Sequence, residues 1–180
     1  MVDFVIEPEI ARSPAEVFAH VTDANKLAIW QRNTISAVPD GPIRLGTKIR
    51  EVHRAPGGKR IETVVEVVED ERDRVFGMRI IEGLPVDGRI TFEPRETGTR
   101  FRFRVYSQPA GMLPLVQPVM RAVLKWQFEQ HCTNLKAVLE SEPGGETAEL
   151  PAGAIRYAAR GGTWFLVYLS QFAGTGKPRA

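Results

Sequence analysis

Between residues 33 and 107 the chain offers six consecutive strand-like stretches, and after them only one segment long enough for a sizeable helix. That imbalance constrains the fold more than any single residue does. An antiparallel sheet with one apolar face must cover that face. Here almost the only cover is one helix, near residues 111 to 140. A helix is about 10 Å wide, too narrow to fill the hollow of a curved seven-stranded sheet. The leftover space is expected to be a pocket.

A first strand is expected over residues 2 to 10, with Phe4 and Ile6 in the core. Ser13-Pro14-Ala15-Glu16 then spells a helix start. Ser13 can cap, Pro14 suits the first helical position, and Glu16 completes a capping box. Asp23 is expected to cap a second short helix that ends at Trp30. Strands follow at about 33–38, 46–55, 59–69, 74–82, 87–94 and 99–107. The breaks between them carry turn residues: Pro39-Asp40-Gly41-Pro42, Pro56-Gly57-Gly58, Gly83 to Pro85, and Glu96-Thr97-Gly98.

Alternation assigns the faces. Phe101, Phe103 and Val105 alternate with Arg100, Arg102 and Arg104, and Ile61, Thr63, Val65 and Val67 alternate with Glu62, Val64 and Glu66. The arginine row reads as a solvated sheet face with cross-strand Arg–Glu pairs rather than a phosphate site. In the long helix, Arg121, Lys125, Glu129, Lys136 and Glu140 mark the solvent stripe. The inner stripe is expected to hold Val116, Met120, Val123, Gln127, Gln130, His131, Asn134 and Val138, flanked by Leu124, Trp126, Phe128 and Leu135.

Composition bears on the class. With 43% hydrophobic and 26% charged residues the chain is ordinary for a globular protein. A net charge of +2, with both signs interspersed, shows no nucleic-acid footprint. The single cysteine, Cys132, excludes an intramolecular disulfide. No signal-peptide pattern opens the chain and no apolar run reaches membrane-spanning length, so a cytoplasmic location is expected. Residues 1–142 are read as one domain and 143–180 as a loosely ordered C-terminal extension. That extension holds an apolar run, Trp164 to Leu169.

Several local phrases carry a resemblance. The opening strand, SPAEVFAHVTDANKLAIW, ITFEPRETGTRFRFRV and FEQHCTNLKAVLE together resemble the SRPBCC (START-like) superfamily, and within it the polyketide cyclase/dehydrase-like group. The resemblance spans about residues 1–142. It implies the α+β helix-grip fold: a seven-stranded curved antiparallel sheet wrapped around a long C-terminal helix, with two short helices after strand 1. It also implies a cavity between sheet and helix that takes sterols, lipids, hormones or polyketides. Its phrases serve capping and packing and say little about activity.

Catalytic motifs are scarce. The three histidines, His20, His53 and His131, stand at no ligand spacing, so neither a metal nor another cofactor is expected. Gly174-Thr175-Gly176-Lys177 fails the phosphate-loop pattern at Gln171 and Pro178. What remains is polar groups on the apolar face. Glu51 and His53 lie two apart on one strand and share a face. If they point inward, they form an acid/base pair suited to proton shuttling in an aldol cyclisation or dehydration. If they sit at the wet end of the sheet, they do not. His131, the third candidate for proton transfer, lies four residues from Gln127, with Gln130 and Asn134 nearby. These groups either orient a ligand or bond to backbone at the core edge. Trp30, which the resemblance places near the cavity mouth, is either a gate or a core indole. Phe76, Met78, Phe92, Phe101 and Phe103 are expected on the cavity floor, with Val123 on the helix side, and each is equally explicable as core.

Three functions compete. The favoured one is binding of a small hydrophobic molecule. The second is a polyketide cyclase, dehydratase or aromatase that uses Glu51, His53 or His131. The third is an interaction protein that docks through Trp164, Phe165 and Tyr168 on a partner, a membrane surface or a second copy, which leaves a homodimer open.

Overall fold

The computed structural model describes residues 1–55, 58–108 and 116–141 of the chain. The expectation for residues 143–180 lies outside the described residues. The order is β1 (Val2–Ile6), β2 (Glu9–Ile10), α1 (Pro14–Val21), a 3-10 turn (Ala24–Lys26) and α2 (Leu27–Trp30). Then come β3 (Thr34–Pro39), β4 (Lys48–Arg54), β5 (Arg60–Glu71), β6 (Val75–Glu82), β7 (Asp87–Arg95), β8 (Gly98–Ser107) and α3 (Gln117–Ser141). The strands form one antiparallel sheet in the order β1-β8-β7-β6-β5-β4-β3, with β2 also paired to β8. This is the helix-grip fold. The expected first strand is broken in two around Pro8, and both pieces run along β8. Proline has no N–H for the ladder, and its carbonyl accepts from Phe101 N at 3.0 Å.

The local signals act as the residues dictate. Ser13 and Glu16 close a reciprocal capping box, with Ser13 N donating to Glu16 Oε2 at 2.9 Å. Asp23 Oδ1 accepts from Asn25 N at 2.9 Å and so caps the 3-10 turn ahead of α2. Gly98 joins β7 to β8 at φ +147°, and a Cβ there would sit 2.1 Å from the Ile10 carbonyl oxygen. Only glycine fits both the angle and the approach.

The arginines of the outer face are in ion pairs across strands. Arg89 grips Glu69 with two bonds of 2.7 and 2.9 Å, Arg104 meets Asp3 at 2.6 Å, and Arg100 meets Glu7 at 2.7 Å. The guanidinium groups hold the carboxyls of Glu69, Asp3 and Glu7 below the usual carboxylate range, chiefly through these hydrogen bonds.

Helix α3 does not lie down the middle of the bowl. Polar ties fasten it along the β1–β2 edge. Met1 N donates to Gln117 Oε1 at 2.7 Å, Arg121 Nε to the Asp3 carbonyl at 3.3 Å, and Ala11 N to Glu140 Oε1 at 2.9 Å. Lys136 Nζ donates to the Glu9 carbonyl. The sheet-facing stripe is therefore Met120, Leu124, His131, Leu135, Val138 and Leu139, with Phe128 partly buried beside it. At about 100° per residue, that stripe is turned by roughly 65° from the expected one. Gln130 is consequently exposed, and Val123, Gln127 and Asn134 are half-buried on the flank. The turn puts Leu124, Phe128 and Leu135 inside instead of amides, the direction that transfer energies favour.

Rolled this way, α3 fills the hollow on the β8 side. Phe103 meets Phe128 edge-on at 5.1 Å between centroids, Phe128 meets Phe4 at 6.1 Å, and Phe101 meets Phe92 at 5.7 Å. Phe101 and Phe103 are 0% and 1% exposed, so no water-sized space adjoins either ring. This corrects the expectation that both line an open floor. Helix α1 seals the near end, where Phe18 meets Phe92 at 5.3 Å and Phe76 at 6.3 Å.

Candidate functional site

Four polar side chains of the inner face, Thr34, Glu51, His53 and Thr63, meet at one corner, where β3, β4 and β5 approach α2 and α3. Ile49 is buried and points inward, so Glu51 follows it, two residues on. His53 continues the row, paired with Thr34 on β3 and Ile61 on β5. Glu51 Oε2 lies 3.0 Å from His53 Nε2, with the two side chains only 11% and 18% exposed. Thr63 Oγ1 is 3.2 Å from the same Nε2, and Thr34 Oγ1 is 3.3 Å from Nδ1. An ionised carboxylate can only accept. The arrangement therefore suits a ring with its proton on Nε2, donating to Glu51, while Nδ1 accepts from Thr34. The pair is sheltered, bonded and inward, and is not at a wet sheet end.

Two further rings close the corner from the helices. Trp30 ends α2 with its side chain 1% exposed overall, and its backbone carbonyl accepts from Asn134 Nδ2 at 3.4 Å. His131 on α3 is 5% exposed and stands edge-to-face with Trp30, centroids 6.3 Å apart, and with Phe128 at 5.6 Å. Burial, and then the proximity of His53, push the His131 pKa down to about 4, so this imidazole is neutral at pH 7. Trp30 Nε1 and His131 Nδ1 are buried with no hydrogen-bond partner. Neighbouring Cys132 is buried too, its thiol pushed up to about 12, and is no nucleophile.

The structure thus brings together Glu51, His53, His131 and Trp30, and adds Thr34 and Thr63, which sequence reasoning did not single out. Thr34 is the cross-strand partner of His53 and Thr63 that of Glu51, so both follow once register is known. Register is the missing signal. Val123 and Gln127 are half-buried on α3, and Met78 is half-buried on β6. Phe76, Phe92, Phe101 and Phe103 belong to the packed interior. Gln130 faces away. Among the described residues no His, Cys, Asp and Glu group could hold a metal ion, and no helix is long and apolar enough to cross a membrane. Two surface hollows, one over Glu69, Arg79 and Arg89, the other beside Arg12 and Gly98, lie outside the bowl.

Comparison with known proteins gives a concordant picture. The family described as "Polyketide cyclase / dehydrase and lipid transport" matches residues 1–140. No curated protein matches the chain. Among solved structures, a protein of Nitrosomonas europaea superposes with a TM-score of 0.65 at 15% identity, covering 77% of this chain and 94% of that one. The di-domain aromatase/cyclase StfQ of the steffimycin biosynthetic pathway gives a TM-score of 0.63 at 18% identity, covering 77% of this chain and 50% of StfQ. Ara h 8.0201 gives 0.62 at 13% identity, covering 78% of this chain and 98% of its own. At such identities the likeness is one of fold.

Proposed function

This chain belongs to the polyketide cyclase/dehydrase and lipid transport family, and from that premise we propose that it binds a small hydrophobic molecule, such as a lipid, sterol or polyketide-like ring system. The ligand lies between the β4–β6 part of the sheet and the free flank of α3. The observation that carries this reading is the asymmetric seat of α3. Fastened to the β1–β2 edge, the helix packs over β8 and leaves Val123 and Gln127 half-buried, as Met78 and Ile80 are on β6. In this reading the apolar body of the ligand lies against these side chains, and the Glu51–His53 corner meets its polar end. Native mass spectrometry of protein purified from its own cell tests this. A co-purified apolar molecule, displaced by a fluorescent hydrophobic probe, is the expected result. Protein that carries none and takes up no probe refutes it.

The buried Glu51–His53 contact favours a second reading, a cyclase- or dehydratase-type enzyme. Here His53 takes a proton from a carbon next to a carbonyl, and Glu51 holds the imidazolium that forms. Glu51→Gln and His53→Gln would then lose turnover by far more than they weaken ligand binding. Turnover unchanged in both variants eliminates this reading and leaves the first untouched.

A further inference from the structure

Helix α3 shows solvent a stripe that no charge interrupts. Val119, Ala122, Trp126, Gln130, Thr133 and Ala137 are all exposed, and their spacing of three and four puts them on one face, opposite the buried stripe. The outer face of a surface helix ordinarily carries its charges. Here the charges sit to one side. Arg121, Lys136 and Glu140 reach the β1–β2 edge, and Lys125 pairs with Glu129 at 3.5 Å. Thr133 asks for no partner beyond the helix, since its hydroxyl donates to the Glu129 carbonyl at 2.8 Å. Trp126 is 55% exposed, the one exposed aromatic ring among the described residues.

Size and reach decide what covers this stripe. It runs about 27 Å along the helix and is about 10 Å wide. A second copy seated on it would bury roughly 500 Å² in all, well short of the roughly 1,200 Å² that a stable interface needs. A segment of the same chain needs far less, because its tether supplies a local concentration in the millimolar range. The sequence holds such a segment. Residues 164–169 read Trp-Phe-Leu-Val-Tyr-Leu, inside a stretch from Gly161 to Gly176 that has no charged residue. The 22 residues that join Ser141 to Trp164 include five glycines. A glycine-rich chain of that length bridges about 25 Å on average. Trp126 lies about 22 Å back along α3 from Ser141. A tether is most effective when its mean reach matches the span.

We propose that the apolar run at residues 164–169 packs on the outer stripe of α3, over Trp126 of the same chain. The contact takes apolar surface from water on both sides and strips water from no charge. It goes beyond the ligand-binding reading and does not depend on it.

The test uses the full chain with Trp164→Phe, which leaves buried Trp30 and exposed Trp126 as its indoles. Acrylamide quenching then reports on Trp126. Adding Leu166→Asp and Leu169→Asp charges the run without altering residues 1–141, and should raise the quenching about twofold as the covered part of the ring opens. Ala122→Glu works from the other side. It sets a charge one turn from Trp126 at an exposed helical position that accepts glutamate readily. Chymotrypsin should then cut within residues 164–169 about tenfold faster than in the wild-type chain, since cleavage follows the undocked fraction. Both protections should persist over about a hundredfold dilution, because the contact lies within one chain. Protection that fades on dilution assigns the stripe to a second copy and overturns the proposal. Equal quenching with and without the two aspartates overturns it too, as does equal cleavage of the wild-type and Ala122→Glu chains.

Discussion

Strands β8 and β4 both alternate side chains between two faces, yet they send inward opposite kinds of group. From β8 come Phe101, Phe103 and Val105, each at most 1% exposed, beneath a helix rolled onto them. From β4 come Ile49, Glu51 and His53, at a corner that also holds two unpartnered ring nitrogens. The β8 side is satisfied on both faces, with rings packed inside and arginines paired outside. The β4 side keeps polar chemistry on what is otherwise an apolar surface. Burying such groups is costly, and here Glu51, His53, Thr34 and Thr63 offset that cost by bonding to one another. Packed rings and bonded polar groups occupy different ends of the same sheet.

Removing a ring from the sealed side should cost most. Gly88 gives Phe103 its room, since a Cβ there would come within 2.9 Å of the ring. Phe103→Ala is expected to destabilise by about 3–5 kcal/mol, read from urea unfolding. A loss under about 1 kcal/mol would mean the β8 side is looser than its burial implies.

The next effect comes from the polar corner and depends on pH. His131 has a folded pKa of about 4, below its ordinary 6.5. Between those values the unfolded chain binds the proton and the folded one does not, so stability rises with pH across that window. The contribution is complete above pH 6.5 and lost as pH falls toward 4. The shift amounts to on the order of 3 kcal/mol. Wild-type protein should therefore lose more stability than His131→Phe between pH 7 and pH 4.5. Parallel pH profiles would place the titration elsewhere.

Gly98→Ala tests the β2–β8 junction, and the forced φ and the contact with Ile10 should cost about 1–3 kcal/mol. Smallest of all, Arg89→Ala breaks a half-exposed pair on the outer face and should cost no more than about 1 kcal/mol, less at high salt. A larger loss would show the paired outer face to be structural rather than merely solvated.

Much of this was legible in the residues. The capping box at Ser13 and Glu16, the alternation along β8 and the inward row of Ile49 and Glu51 each follow from a period or a local hydrogen bond. The roll of α3 was not legible. Its apolar residues form a band wide enough to allow more than one seating, and the choice fell to distant groups. Gln117, Arg121, Lys136 and Glu140 find Met1, Asp3, Glu9 and Ala11 across more than a hundred residues of chain. That choice moved Gln130 to the surface and brought Phe128 over Phe103.

By itself, then, the sequence determined a curved antiparallel sheet with one greasy face, a single long helix to cover it, and an acidic and a basic group side by side on one strand. Those are properties of neighbours along the chain, written in spacings of two and of three to four. Only the tertiary structure decided which side of the bowl the helix closes, that Trp30 and His131 come into contact, and that His53 lies between two threonines. Such facts depend on strand register and helix rotation, and both are settled by contacts between residues far apart in the chain.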